Sequence, residues 1–296
     1  MRGTHPERAL EQAVERDGAL RRGDRVLIAC SGGADSVGLA LLLSALAKTL
    51  DLTLHLAHVN HGIRASAWQD EAVVLRVSAA LGIPVTIRSL AGGAASEAPL
   101  REARYEALAA IAADAGASCV ATGHTAEDQT ETVLLALFRG TGAQGAAGMP
   151  ARRVLSGDID LVRPLLRRTR AEVVLYLQHA GLPYAVDPTN TDTNYRRNAV
   201  REALAALRPL FPGLDEAVAR AASLIAEDLA ETPGARLRRQ VRSALREHEA
   251  LGGVDFEHIA AAVRALERGR SGRFAMAPGV ELSVENGELT VHREVR

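Results

Sequence analysis

"VLIACSGGADSV" (residues 26–37) decides how the rest of the chain is read. An apolar run of strand character stops at Cys30, six small or polar residues follow, and an apolar run of helical character resumes at Val37. Adjacent glycines at 32 and 33 let backbone N–H groups approach an anion, and the positive end of the following helix adds to the attraction. The stretch reads as a phosphate cradle. It lacks the GK[ST] ending of a Walker A loop, and its adjacent glycines do not fit a dinucleotide fingerprint. An acid, Asp35, sits where phosphates would lie, as expected if it holds Mg²⁺ bridging carboxylate and pyrophosphate oxygens. The competing reading is a plain glycine turn with Ser31 or Asp35 as a cap.

Outward from this loop, strand-like and helix-like segments alternate. Strands are predicted at 24–30, 52–60, 84–90 and 118–124, and helices at 36–50, 66–82, 100–116 and 126–140. Short links between alternating elements are the signature of an α/β fold with a doubly wound parallel sheet. Ligands of such sheets bind beyond the carboxyl ends of the strands. The polar segments 31–36, 58–64 and 123–131 all fall there. "RRVLSGDIDLVRPLL" (152–166) reads as a hairpin returning to the sheet, and "TRAEVVLYLQHAG" (169–181) as an amphipathic helix. "LRPLFPGL" (207–214) supplies the domain boundary, giving a catalytic domain over 1–208 and a smaller, mainly helical domain over 209–296 that ends in short strands.

Of the 296 residues, 47% are hydrophobic and 24% charged, ordinary for a globular chain with a real core. No apolar stretch reaches the roughly 20 residues that span a bilayer, so no membrane association is expected. Two cysteines, Cys30 and Cys119, both lie in apolar runs, which argues against a disulfide scaffold or a metal cluster and fits the cytoplasm. The net charge of −1 hides local basic clusters around Arg152, Arg153, Arg163, Arg167, Arg168 and Arg170, around Arg196, Arg197 and Arg201, and in "ARLRRQVRSALR" (235–246). Lys48 is the only lysine, so arginine serves every basic need and its abundance alone does not mark RNA binding.

Seven motifs together carry a resemblance. "SGGADS" (31–36) is similar to the loop of the N-type ATP pyrophosphatases, which cleave ATP between its α and β phosphates. "HVNHGIR" (58–64), "REARY" (101–105), "GHTAEDQTET" (123–132), "RGTGAQGAAGM" (139–149), "RPLL" (163–166) and "DPTNTDTNYRRNAVR" (187–201) follow in the order seen in tRNA(Ile)-lysidine synthetases. The resemblance covers roughly residues 20–205. It implies an adenine nucleotide alpha hydrolase-like fold and a ligase that uses ATP, Mg²⁺ and free L-lysine. Its RNA substrate would be tRNA(Ile) with a CAU anticodon. Cytidine 34 would be adenylated with release of pyrophosphate, and the ε-amine of lysine would then attack C2 and release AMP. The product, lysidine, changes decoding from AUG to AUA.

The resemblance also implies roles. Ser31, Gly32, Gly33, Ala34, Asp35 and Ser36 would hold the pyrophosphate, with Asp35 as the metal ligand, and His58, His61 and Arg104 would lie at the nucleotide. By the same resemblance Asp35, His124, Asp128 and Glu131 would form the catalytic set. Asp128 and Glu131, one helical face three residues apart, would receive the lysine ammonium, which is no nucleophile until it loses a proton from a pKa near ~10.4. First-turn acids are also ordinary at a helix start, which covers Glu127 and Asp128 more easily than Glu131. The family more often has aspartate where this chain has Glu127. Arg101 and Arg104 are expected at a phosphate or tRNA contact, and Arg139 with Gly140, Gly142 and Gly145 in a mobile loop near the site. Asp187, Asn190, Arg197 and Arg201 are expected to contact the tRNA or the active centre, although Asp187 and Asn190 also suit an Asx turn. Many family members are longer, and this chain reads as a short form whose helical 212–270 segment contacts RNA. Its assembly is open between monomer and homodimer. A tRNA thiolase on the same fold would need paired cysteines or a cluster, and an inert adaptor would not need Asp35, His124, Asp128 and Glu131.

Overall fold

A computed structural model describes residues 6–60, 67–90, 97–185, 195–248, 254–285 and 288–293. His61, Asp187 and Asn190 lie outside these residues. The chain divides into two units, Met1–Ala222 and Ser223–Arg296, and the division falls inside a helix rather than at the "LRPLFPGL" turn.

The first unit is built on a six-stranded sheet. Its strands are β1 (Arg25–Ala29), β2 (Thr53–Asn60), β3 (Val85–Ser89), β4 (Cys119–Ala121), β5 (Arg152–Ser156) and β6 (Ile159–Val162), in the order β3-β2-β1-β4-β6-β5. All neighbours are parallel except β5, which folds back antiparallel on β6 as the 152–166 pattern predicts. The strand order reverses between β1 and β4, so a crevice opens beyond their carboxyl ends. The phosphate-cradle stretch leaves β1 into that crevice.

Alternation along β1 supplies two cores. Val26, Ile28 and Cys30 pack with α1 (Pro6–Asp17), α2 (Ala34–Leu50), α3 (Ala67–Leu81) and α7 (Arg170–Ala180). Leu27 and Ala29 face Leu108, Ile111 and Ala112 of α4 (Glu97–Asp114) on the other side. A strand buried on both faces reads as a continuous apolar run, as "VLIA" does. Gly38 of α2 lets α7 approach closely, because a Cβ there would collide with Val173 Cγ1. This contact fixes the start of α7 beside the start of α2.

The remaining helices of the first unit are α5 (Ala126–Phe138), α6 (Gly142–Ala146) and α8 (Tyr195–Leu207), followed by α9 (Leu214–Leu229), which crosses the division. The glycine-rich segment after Arg139 contains the short helix α6 and is held at its end. Buried Gln129 donates to Met149 O (3.0 Å) and accepts from Met149 N (2.8 Å). A helix and a clamp therefore stand where the sequence suggests an open loop. α1 is a second difference: its polar sequence gives no clear apolar run, yet Leu10 and Val14 reach the core.

The second unit packs α10 (Pro233–Glu247) and α11 (Phe256–Glu267) with an antiparallel sheet of β7 (Gly272–Ala277), β8 (Val280–Glu285) and β9 (Glu288–Arg293). Val241, Leu245, Met276 and Leu282 are fully buried in its core. The run 235–246 is thereby amphipathic, and Arg236, Arg239, Arg242 and Arg246 are all exposed.

Candidate active site

The cradle is shaped by three close approaches. Gly32 has φ 90°, and a Cβ on it would lie 3.2 Å from Asp70 O, so a side chain meets both strain and crowding. Gly33 is the N-cap of α2 in extended conformation and carries no side-chain cap, leaving first-turn N–H groups of α2 for an outside acceptor. A Cβ on Gly123 would sit 2.9 Å from Asp35 O, so the end of β4 lies directly against the loop.

Ser36 turns inward to close this loop. Its Oγ accepts from Ser31 N (3.1 Å) and donates to Gly33 O (2.9 Å). His58 is buried beneath, with Nδ1 donating to Cys30 O at 2.9 Å. Ser36 and His58 therefore brace the cradle. Ala185 N donates to Gly32 O (2.8 Å), so Ala185 lies beside the loop.

At the mouth of the cradle lie three acids and one guanidinium. Arg170 grips Asp35 with Nε at 3.2 and 3.0 Å from the two oxygens and with Nη2 at 2.8 Å from Oδ2. Arg170 N donates to both Glu127 oxygens, at 2.9 and 3.0 Å. Burial pushes the pKa of Asp35 up, with Arg170 opposing and Asp128 adding to the rise. Burial also raises Glu127. For Arg170 burial disfavours the charge, but Asp35, then Asp128 and Glu127, outweigh it and raise its pKa. Among the described residues no three His, Cys, Asp or Glu side chains gather as a metal cage. Mg²⁺ needs no such cage where a nucleotide supplies phosphate oxygens, so a single carboxylate such as Asp35 is a donor of the right kind.

On the other side of Gly123 the charge is reversed. His124 accepts or donates a 2.8 Å hydrogen bond between Nδ1 and Thr122 Oγ1. Burial, then the charges of Arg163, Arg101, Arg104 and Arg197, push its pKa down to about 3. The ring is neutral at physiological pH. It can orient a substrate by hydrogen bonding, whereas acid–base work would need a pKa nearer 7. Arg163 is buried, donates to Pro150 O (2.6 Å), and has no partner for Nε among the described residues. Burial lowers the pKa of both Arg163 and Arg104. Arg101 and Arg153 lie over the Tyr105 ring, 5.2 and 5.7 Å from its centroid. The guanidinium charges around this neutral ring suit an anion.

Asp128 and Glu131 lie between these regions but are already engaged. Asp128 Oδ2 accepts from Thr125 N (3.0 Å) as part of the α5 cap, and its Oδ1 is 3.8 Å from Arg197 Nη2. Buried Glu131 accepts from Arg197 Nε (2.8 Å) and Arg201 Nε (2.7 Å), one on each oxygen. The structure thus joins the acids of α5 to the arginines of α8. Arg139 caps the C-terminal end of α5 and is exposed. Sequence reasoning counted Arg170 only among a basic cluster. Its position at the start of a helix packed on α2 was the available signal.

The profile of the PP-loop domain family matches residues 3–207. A tRNA(Ile)-lysidine synthase from Salinispora arenicola is 44% identical, the alignment covering 76% of this chain and 69% of that protein. Another from Salinispora tropica is 40% identical over 91% of this chain and 80% of that protein. One from Symbiobacterium thermophilum is 39% identical, covering 74% of this chain and 47% of that protein. Among solved structures, a U34-tRNA thiolase from Methanococcus maripaludis has a similar fold, with TM-score 0.62, 19% identity, and coverage of 75% of this chain and 78% of that one.

Proposed function

The chain belongs to the tRNA(Ile)-lysidine synthase family of PP-loop proteins, which use ATP to modify tRNA, and we propose that it joins L-lysine to C2 of cytidine 34 in tRNA(Ile) with a CAU anticodon. The observation that carries the reading is the apposition at Gly123–His124 of an uncapped glycine cradle and an arginine pocket. A reaction that transfers the adenylyl group of ATP to an RNA base and releases pyrophosphate needs both at one point.

In this reading the backbone of residues 31–36 holds the phosphates to be released, and Asp35 supplies a carboxylate to Mg²⁺. Arg104 serves the nucleotide's phosphate. Neutral His124 orients the reacting cytidine, an extruded base of a single-stranded loop. Adenylation makes C2 electrophilic, and AMP leaves when the lysine amine attacks. Asp128 and Glu131 receive the lysine ammonium. Both Glu131 oxygens already accept guanidinium N–H groups, so lysine entry there exchanges partners with Arg197 or Arg201. Arg101 and Arg139 take RNA phosphates, and Asp187 and Asn190 contact the tRNA or the active centre. The exposed arginines of α10 offer a further RNA surface on the second unit. The reaction belongs to the cytoplasm, where charged and uncharged tRNA are found.

Pyrophosphate release from ATP tests the first half. It should require an unmodified CAU transcript of tRNA(Ile) and be abolished by replacing cytidine 34 with uridine. Release that ignores the RNA would contradict the reading.

A further inference from the structure

Glu127 and Arg170 lie outside the roles given above, yet together they span the cradle. Two bonds lock the backbone where they meet: Ala126 N donates to Arg168 O (2.8 Å), and Arg170 N donates to both oxygens of Glu127. The turn before α7 has its own capping box, in which Thr169 and Glu172 satisfy each other. That box leaves the N–H of Arg170, the first residue of the helix, to Glu127. A carboxylate one methylene shorter reaches less far from α5, which gives a physical reason for glutamate at 127.

The side chain of Arg170 is held differently. It is 48% exposed, against 21% for Asp35, and among the described residues its guanidinium pairs with Asp35. A half-exposed ion pair is a weak hold. A guanidinium binds phosphate in fork geometry, with charge-assisted bonds. The backbone anchor and the long stem suit a head group that changes partners while its base stays fixed.

We infer that Glu127 and Arg170 form an exchangeable bridge over the nucleotide site. Glu127 pins the Arg170 backbone, and the Arg170 guanidinium holds Asp35 in the nucleotide-free chain and passes to the triphosphate when ATP enters. Asp35 is thereby kept from facing like charges alone while the site is empty, and its carboxylate is released when phosphates arrive. The inference rests on ATP being the ligand of the cradle.

Calorimetric titration of the full chain with ATP, without RNA or lysine, tests it. Arg170→Ala should weaken ATP binding at least about tenfold. Arg170→Lys should recover part of the loss, because it restores the charge without the fork. Glu127→Ala should weaken binding by a smaller factor, since it frees the anchor and leaves the guanidinium. Thermal unfolding without nucleotide serves as the folding control, and Arg170→Lys stands in if the alanine variant does not fold. Unchanged or tighter ATP binding by a folded Arg170 variant would overturn the bridge, leaving Arg170 as a plug on Asp35. Failure of the wild-type chain itself to bind ATP would instead remove the ligand on which the bridge rests.

Discussion

The cradle side and the arginine side of the site solve opposite electrostatic problems within a few residues of each other. At the cradle, Asp35, Glu127 and Asp128 surround one guanidinium, and burial raises the pKa of Asp35 and Glu127. Around His124, guanidinium groups dominate and burial lowers the pKa of Arg104 and Arg163. Each side is uncomfortable alone. Among the described residues Asp35 pairs with Arg170, and Arg163 Nε has no hydrogen-bond partner. A metal–nucleotide complex suits the first side, and phosphate suits the second. The contrast sets opposite charge demands on the two sides of Gly123.

Asp35→Ala strikes the cradle side hardest. Pyrophosphate release should fall by roughly 100-fold or more, as expected when a centre loses a group facing developing charge, while tRNA binding measured by filter retention changes little. Equal loss of tRNA binding would erase the distinction between the two sides. On the arginine side, Arg101→Ala should raise the KM for tRNA roughly tenfold and lower the salt slope of binding by about 1, with the KM for ATP almost unchanged. Reversing Arg239 and Arg242 to glutamate should weaken tRNA binding similarly, without altering ATP binding measured in the absence of RNA.

The contact between the sides is probed by Gly123→Ala. Its new methyl group would press on the Asp35–Ser36 backbone, and thermal unfolding should report a loss of about 1–3 kcal/mol. The smallest effect concerns His124. Its folded pKa is about 3 against an ordinary 6.5. Between those values the unfolded chain holds a proton that the folded chain lacks, so stability rises with pH and is lost on acidification below about 6.5. The slope from this one residue is at most about 1.4 kcal/mol per pH unit. His124→Asn should flatten the melting-temperature difference between pH 6.5 and pH 5.5 relative to wild type. An unchanged slope would show that the ring titrates normally.

Much of this was legible in the sequence because it is local. Strand–helix alternation gave the parallel sheet, and the adjacent glycines with Asp35 placed the crevice. The return hairpin 152–162 and the three closing strands followed from turns and alternation. What was not legible depends on contacts far apart in the chain. Asp35 meets Arg170 across 135 residues, and Glu131 meets Arg197 and Arg201 across 66 and 70. No local pattern announces either. The low pKa of His124 has the same origin, because its arginines come from α4, from the residue that follows β6 and from α8. α1 and α6 escaped notice for another reason: a polar helix and a glycine-rich one owe their form to packing and capping more than to propensity.

The most direct test of the account is transfer of labelled lysine to RNA. Wild-type protein, Mg-ATP and labelled L-lysine would be incubated with a tRNA(Ile) transcript bearing CAU, and with a second transcript bearing UAU. The account predicts ATP-dependent label in the first RNA and none in the second. Label in neither, with AMP still accumulating on the first, would contradict lysine as the nucleophile.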